Sequence, residues 1–377
     1  MVMEISRSTP ETAGKVIRCK AAICRIPGEP LTIEEIEVDP PKAWEVRIKI
    51  ICTSLCHTDV TFWKMNAALY NFGFSFVSVV ESVGEHVEEF VEGDMVLPVF
   101  LPNWGECRDC ESEKSNSCSV FGNRLSPDMP RDGTSRFKDM KGEVLHHFLW
   151  VSSFTKYTVV DVTHAVKINP QIPADKACLL SCGVSTAAVE EGSTVAIFGL
   201  GAVGLAVAEG ARLRGALKII GIDLNPEKFE TGKQFGVTDF VNPATYGEKQ
   251  VSEVIKELTN GGADYCFECI GMASVMQEAF RSSRQGWGKT VILGVERHGS
   301  PFTVSPGELL RGRTVIGSLF GGLKPKSDIP LLAQKYLDKE LSLDEFITNE
   351  LSFQDINKAF ELLEEGKSIR CIIWMDH

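Results

Sequence analysis

No stretch of this sequence is both long and apolar. Its hydrophobic runs fall well short of the ~18 residues of a membrane-spanning helix, and the opening MVMEISRSTPETAGKV holds no apolar core of signal-peptide length. The expectation is a cytoplasmic protein with no membrane partner. Positive charge is also scarce: 39 Lys and Arg face 51 Asp and Glu, a formal net charge of −12, and no basic patch stands out. That balance excludes nucleic acid and anionic lipid as natural partners. Internal repeats and low-complexity segments are missing as well, which excludes solenoid and linker-like architectures. What remains, 44% hydrophobic and 24% charged residues over 377 positions, is the composition of a globular protein long enough for two domains. Twelve cysteines in a reducing compartment do not suggest a disulfide framework. Clustered ones suggest a metal, and the scattered Cys19, Cys24, Cys178, Cys266 and Cys371, in apolar surroundings, read as core.

The chain is organised around residues 192–223, GSTVAIFGLGAVGLAVAEGARLRGALKIIGID. Val195 to Phe198 form a short apolar run of the kind that fills a strand covered on both faces of a parallel sheet. Gly199, Leu200, Gly201, Ala202, Val203 and Gly204 follow at once, then helical periodicity from Leu205 to Arg214, then a second apolar run, Lys218 to Ile222, ending in Asp223. A dinucleotide's pyrophosphate must approach the backbone of such a turn and rest on the positive end of the helix, where side chains would block it. Asp223 can accept hydrogen bonds from both adenosine ribose hydroxyls and would repel a 2′-phosphate, so NAD is favoured over NADP. The bland alternative is a sheet that has kept the turn and lost the ligand.

Upstream, residues 17–52 alternate as strands do, in IRCKAAICR, LTIEEIEV and EVRIKIICT, with Pro40-Pro41 as a turn. The cluster Cys56-His57-Thr58-Asp59 follows the third of these. Together with the glycine turn, the segments ICTSLCHTDVTFWK, VVESVGEHV, KSNSC, LLSCGVST, IFGLGAVGLAVAEGARL, DYCFECIG and GSLFGGLKPK make the chain resemble the zinc-type medium-chain alcohol dehydrogenases, in their plant alcohol dehydrogenase-like branch, over nearly its whole length. The resemblance implies an α/β protein: a GroES-like β-rich catalytic domain (1–184), a Rossmann doubly wound parallel sheet (185–318) and a C-terminal return to the catalytic domain (319–377). It also implies NAD bound between the domains, a small-molecule alcohol or carbonyl substrate, and a homodimer built through the Rossmann sheets.

In that family a catalytic zinc is held by a Cys of C-H-T-D, a His of G-H-E and a Cys of L-S-C-G, and an open tetrahedral site of this kind polarises a carbonyl. Cys56 and Cys182 match the first and last ligands. Between Trp63 and Val79 no His, Cys, Asp or Glu occurs, and Gly73-Phe74-Ser75 falls where G-H-E would. The structural zinc lobe, four cysteines in the family, is here Trp104, Cys107, Cys110 and Cys118. A water or a nearby acid could complete it; the alternative is three reduced cysteines packed in a loop. Residues 183–192 pass almost directly into the Rossmann strand, where family members carry a longer helix near the hinge.

The resemblance further places Asn225 and Lys228 at the adenosine ribose, Ile270, Gly294 and Val295 along the cofactor, and Arg370 at the pyrophosphate. Thr58 is the proton-relay hydroxyl, His57 extends the relay or meets phosphate, and Asp59 orients the site. Lys228 and Arg370 also read as ordinary surface charges. The polar stretch from Ser126 to Glu143 reads as a surface loop, and His146 and His147 as packing residues. The function expected is NAD-dependent hydride transfer between an alcohol and an aldehyde or ketone, or onto an activated carbonyl, enone or iminium, with an impaired or absent catalytic zinc. The rivals are a non-catalytic NAD-binding pseudoenzyme and a chain that folds poorly.

Overall fold

In the computed structural model, residues 12–65, 70–73, 75–122, 127–182, 189–296 and 299–376 are described. Phe74, at the expected ligand position, and residues 183–188, at the expected domain joint, lie outside them. The chain divides into two compact units, Met1–Cys182 with Leu323–His377, and Gly183–Gly322.

The first unit is β-rich. Ile17–Cys24 and Thr32–Val38 pair antiparallel and join Phe137–Asp139, Val144–His147 and Tyr70–Asn71 in a small closed barrel. Alternation decides the facing, as it must in a strand of period two. Ile17, Cys19, Ala21 and Ile23 fill the barrel with Ile36 and Val38, while Ala22 and Cys24 point into the larger core of the unit. Beside the barrel, Glu45–Ser54 is the hub of a seven-stranded sheet. It pairs antiparallel with Ser75–Val83, with Tyr157–Asp161 and with the chain's last strand, Arg370–Trp374. The register Ser54 opposite Ile372 sets Arg370 beside the turn after Ser54. Phe72 and Phe76 are fully buried there, each worth roughly 1.5–3 kcal/mol of transfer free energy.

The surface loop expected over 126–143 is corrected by this unit. Met129, Arg136, Phe137 and Asp139 are buried, and Phe137–Asp139 is a barrel strand. The stretch looks polar because Arg136 is among its residues, yet that guanidinium lies inside, forked onto Glu45 and also paired with Asp132. A buried charge matched in this way can occupy a core that its type would otherwise avoid. His147 is a packing residue as expected, fully buried and stacked on Phe137, and His146 pairs with Asp128.

The second unit is a six-stranded sheet in the order Asp239–Val241, Lys218–Ile222, Thr194–Phe198, Tyr265–Glu268, Lys289–Ile292, Thr314–Gly317, with every pairing parallel. Thr194–Phe198 and Lys218–Ile222, side by side in the sheet, are the apolar runs that bracket the glycine turn. Ala202–Leu213 is the helix between them, buried through Gly204, Leu205, Ala206, Val207, Ala208, Gly210 and Ala211. Small residues let it lie close on the sheet. Cys19, Cys24, Cys178, Cys266 and Cys371 are all buried. Among the described residues no helix is long and apolar enough to cross a membrane.

Candidate functional site

In the parallel-sheet unit, the chain leaves Thr194–Phe198 through Gly199, whose φ of +96° favours glycine. At Gly204 the need is space, since a Cβ there would come within 1.8 Å of the Gly199 carbonyl oxygen. Gly201 is different: a Cβ would meet nothing within 4 Å. The turn is therefore tight where it packs and open where the helix begins, and no side chain caps the first N–H groups of Ala202–Leu213. Uncapped amides at the positive end of a twelve-residue helix, under a backbone without side chains, form a cradle for an anion.

Asp223, directly after Lys218–Ile222, borders this cradle. Its Oδ2 accepts the Leu200 N–H at 2.8 Å and the Lys228 ammonium at 3.0 Å, and its Oδ1 accepts the Asn225 N–H at 2.9 Å. The structure thus brings together the turn, Asp223, Asn225 and Lys228. Ile270 and Val295, both largely exposed, follow the next two strands, and a Cβ on Gly271 would come within 2.3 Å of the Val295 carbonyl oxygen.

One residue here escaped the sequence reading. Glu268 is fully buried, its Oε1 accepts the N–H groups of Ile270 and Gly271, and its main-chain oxygen accepts those of Leu293 and Gly294. It ties the two loops that carry Ile270, Gly294 and Val295, and burial raises its carboxyl above the usual range. A lone acid at the end of the apolar run Tyr-Cys-Phe was the available signal.

The β-rich unit holds the thiols. Cys56 precedes the helix His57–Lys64, and Asp59 in its first turn is wholly buried, accepting the Cys56 N–H at 2.9 Å and the Gly73 N–H at 3.0 Å. Burial, then the neighbouring Cys56 charge, push its carboxyl well above the usual range. Thr58 is half-buried, its Oγ1 3.8 Å from Cys56 Sγ, and His57 is exposed. Cys182 ends the turn Cys178–Ser181, where the Ser75 and Ser181 hydroxyls both donate to the Cys178 carbonyl at 2.9 Å. The two sulfurs lie 3.6 Å apart. Arg370, nearly inaccessible to solvent, donates to the carbonyls of Leu55 at 3.3 Å and Cys182 at 3.2 Å and stands 3.9 Å from Cys182 Sγ. The hydrogen bond with Cys182 pulls the Cys56 thiol well below its ordinary range, with Arg370 adding to the effect, and the same contact pushes Cys182 up.

Cys107, Cys110 and Cys118 come together, buried, with their sulfurs all within 4.8 Å of one another. They are the one such group of three or more His, Cys, Asp or Glu among the described residues. Cys107 Sγ accepts the Cys110 N–H at 3.4 Å, and a hydrogen bond with Ser119 holds its thiol down at about 6, whereas burial pushes Cys110 up to about 11. Trp104 is 39% exposed, and its indole offers only a donor. Three thiols fit a thiophilic ion with a fourth position left to water. Cys56 and Cys182 alone do not fit a stoichiometric zinc, because no third donor joins them among the described residues and the sequence supplies none from Met65 to Ser78.

Comparison with known proteins places these features in a lineage. Residues 42–170 match the alcohol dehydrogenase GroES-like domain and residues 202–338 the zinc-binding dehydrogenase domain. "Alcohol dehydrogenase-like 2" of Arabidopsis thaliana is 64% identical over 97% of this chain and 98% of its own length. "Alcohol dehydrogenase 1" of Petunia hybrida is 50% identical over 97% and 99%. A solved structure titled alcohol dehydrogenase zinc-binding domain protein, from Burkholderia ambifaria, superposes with a TM-score of 0.87 at 28% identity, covering 96% of this chain and 100% of that one. The α/β architecture of a GroES-like part with a Rossmann sheet is therefore the expected one, and the chain belongs to the alcohol dehydrogenase family of oxidoreductases.

Proposed function

We propose that this chain is an NAD-dependent oxidoreductase that transfers hydride to activated carbonyl groups, conjugated enals, enones or iminium ions, and does so without a stoichiometric zinc at Cys56 and Cys182. The observation that carries the NAD assignment is the open, uncapped turn at Gly201 bordered by Asp223. Backbone N–H groups from Gly199 to Gly204 hold the pyrophosphate. Asp223 takes the ribose hydroxyls, Asn225 and Lys228 flank it, and Ile270, Gly294 and Val295 line the nicotinamide end. NADH supplies the hydride when bound.

The chain's own residues must then manage charge and proton. Reduction of a carbonyl develops negative charge on oxygen, which a preorganised donor has to meet. Arg370 is already engaged with two carbonyls and a sulfur, so the Thr58 hydroxyl is the donor that remains on this turn, with His57 beside it at the helix start. Asp59 holds the turn by its two backbone bonds and takes no proton from substrate. A hydroxyl is a weaker electrophile than a metal, and the preference for acceptors already polarised or conjugated follows from that.

A second reading, a non-catalytic NAD-binding protein, is favoured by the same pair of thiols without a third donor. Fluorescence titration with NADH tests the first half of the proposal, and NADH oxidation across aldehydes, enals and enones tests the second. Micromolar binding with steady turnover supports catalysis. Binding with no turnover on any acceptor leaves the non-catalytic reading, and no binding removes both.

A further inference from the structure

We infer that Cys56 and Cys182 form a reversible dithiol–disulfide site, the pair being closed by small-molecule disulfides or hydroperoxides. The inference rests on the reading that these thiols hold no stoichiometric metal.

The geometry carries it. The sulfurs are 3.6 Å apart although the residues are 126 apart in the chain, and a disulfide requires 2.03–2.05 Å. Each cysteine sits at the end of an element, Cys56 ahead of the helix His57–Lys64 and Cys182 after the turn Cys178–Ser181, so neither sulfur is locked inside a ladder. Both turns are braced independently, by Asp59 on one side and by Ser75 and Ser181 on the other. Closing the remaining gap of about 1.6 Å to the bond length needs side-chain rotation and a small approach of two turn ends. Arg370 places positive charge against Cys182, where sulfur must carry negative charge to react.

Access enters through one member of this pair. Cys182 is partly exposed, as Cys269 is, whereas Cys56 and the other nine cysteines are buried. With a small disulfide RSSR, the proton shared across the 3.6 Å contact passes from Cys182 to Cys56, and the Cys182 thiolate so formed attacks one sulfur, forms a mixed disulfide and expels RS⁻. Cys56 then attacks the Cys182 sulfur, the mixed bond breaks, and a second RS⁻ leaves. The protein loses two electrons and two protons, and RSSR becomes two RSH. With a hydroperoxide ROOH, Cys182 becomes a sulfenic acid as ROH departs, and attack by Cys56 releases water.

The test uses the full chain, purified under reduction and assayed for metal on the same sample. Oxidised glutathione or hydrogen peroxide is added, remaining thiols are alkylated, and the cross-link is located by peptide mass mapping. The expected result is a loss of two of the twelve thiols, a Cys56–Cys182 peptide pair, and full reversal by dithiothreitol. Cys56→Ser is expected to stop at a glutathione adduct on Cys182, and Cys182→Ser to give neither the adduct nor the cross-link. A metal-free sample in which these thiols survive, or in which the cross-link maps to Cys107, Cys110 and Cys118 instead, overturns this inference alone. A sample with one equivalent of metal released only when Cys56 or Cys182 is replaced overturns the metal-free reading beneath it.

Discussion

Asp223 Oδ2 accepts the N–H of Leu200 at 2.8 Å, so the acid that marks the nucleotide preference also braces the glycine turn. Asp223→Asn keeps an oxygen for that N–H but loses the charge. We expect it to leave the melting temperature within a few degrees, weaken NADH about tenfold, or ~1.4 kcal/mol, and narrow the gap to NADPH. Paired titrations with the two nucleotides check this. An unchanged preference would remove Asp223 from the ribose.

Two glycines of the same turn separate binding from folding. A Cβ on Gly204 would press on the Gly199 carbonyl oxygen, so Gly204→Ala should destabilise the unit by about 1–3 kcal/mol. A Cβ on Gly201 meets open space. Gly201→Ala should therefore melt like the parent while NADH affinity drops at least tenfold. Loss of stability in Gly201→Ala, or retained affinity, would show that the turn does not receive the pyrophosphate.

Metal should follow the three-thiol cluster. Elemental analysis of protein purified with zinc present is expected to give at most one equivalent per chain. Cys107→Ser should lower it severalfold, because three ligands become two, whereas Cys56→Ser should not change it. Two equivalents, one of them lost in Cys56→Ser, would restore a zinc to the Cys56 turn.

Buried histidines predict an acid-labile fold. His147 accepts the Arg136 N–H through Nε2, and burial lowers it from 6.5 to about 3; burial lowers His164 as well. Their folded pKa values lie below the unfolded one, so the unfolded chain binds the extra protons. Stability is then full above pH 6.5 and falls as pH drops below it, with a slope approaching ~1.4 kcal/mol per pH unit for each histidine. Denaturant unfolding from pH 7.5 to 5 should show that loss, and His147→Gln should flatten it by about one proton. An unaltered slope would mean that His147 is not held neutral.

Local signals made the Rossmann unit legible. Two apolar five-residue strands, a glycine turn and a small-residue helix lie within 32 consecutive positions, and each was readable where it stood. The opening strands Ile17–Cys24, Thr32–Val38 and Glu45–Ser54 were equally legible by alternation. What the sequence concealed depends on distant partners. Arg136 is core because Glu45, 91 residues away, meets it. Arg370 donates to the carbonyls of Leu55 and Cys182, far from it in the chain, because the chain's last strand pairs with Glu45–Ser54. Composition also hid Glu268, since only burial tells that an acid ties two loops rather than facing water.

The proposal of zinc-free hydride transfer meets its most direct test in one rate. Protein stripped of metal by chelation, with zinc below a tenth of an equivalent, is given NADH and a conjugated enal, and NADH oxidation is followed at 340 nm. Turnover should match that of untreated protein and fall at least tenfold in Thr58→Val, whose NADH affinity is intact. Turnover that disappears on chelation and returns with one equivalent of zinc, in the parent but not in Cys56→Ser, would refute the proposal.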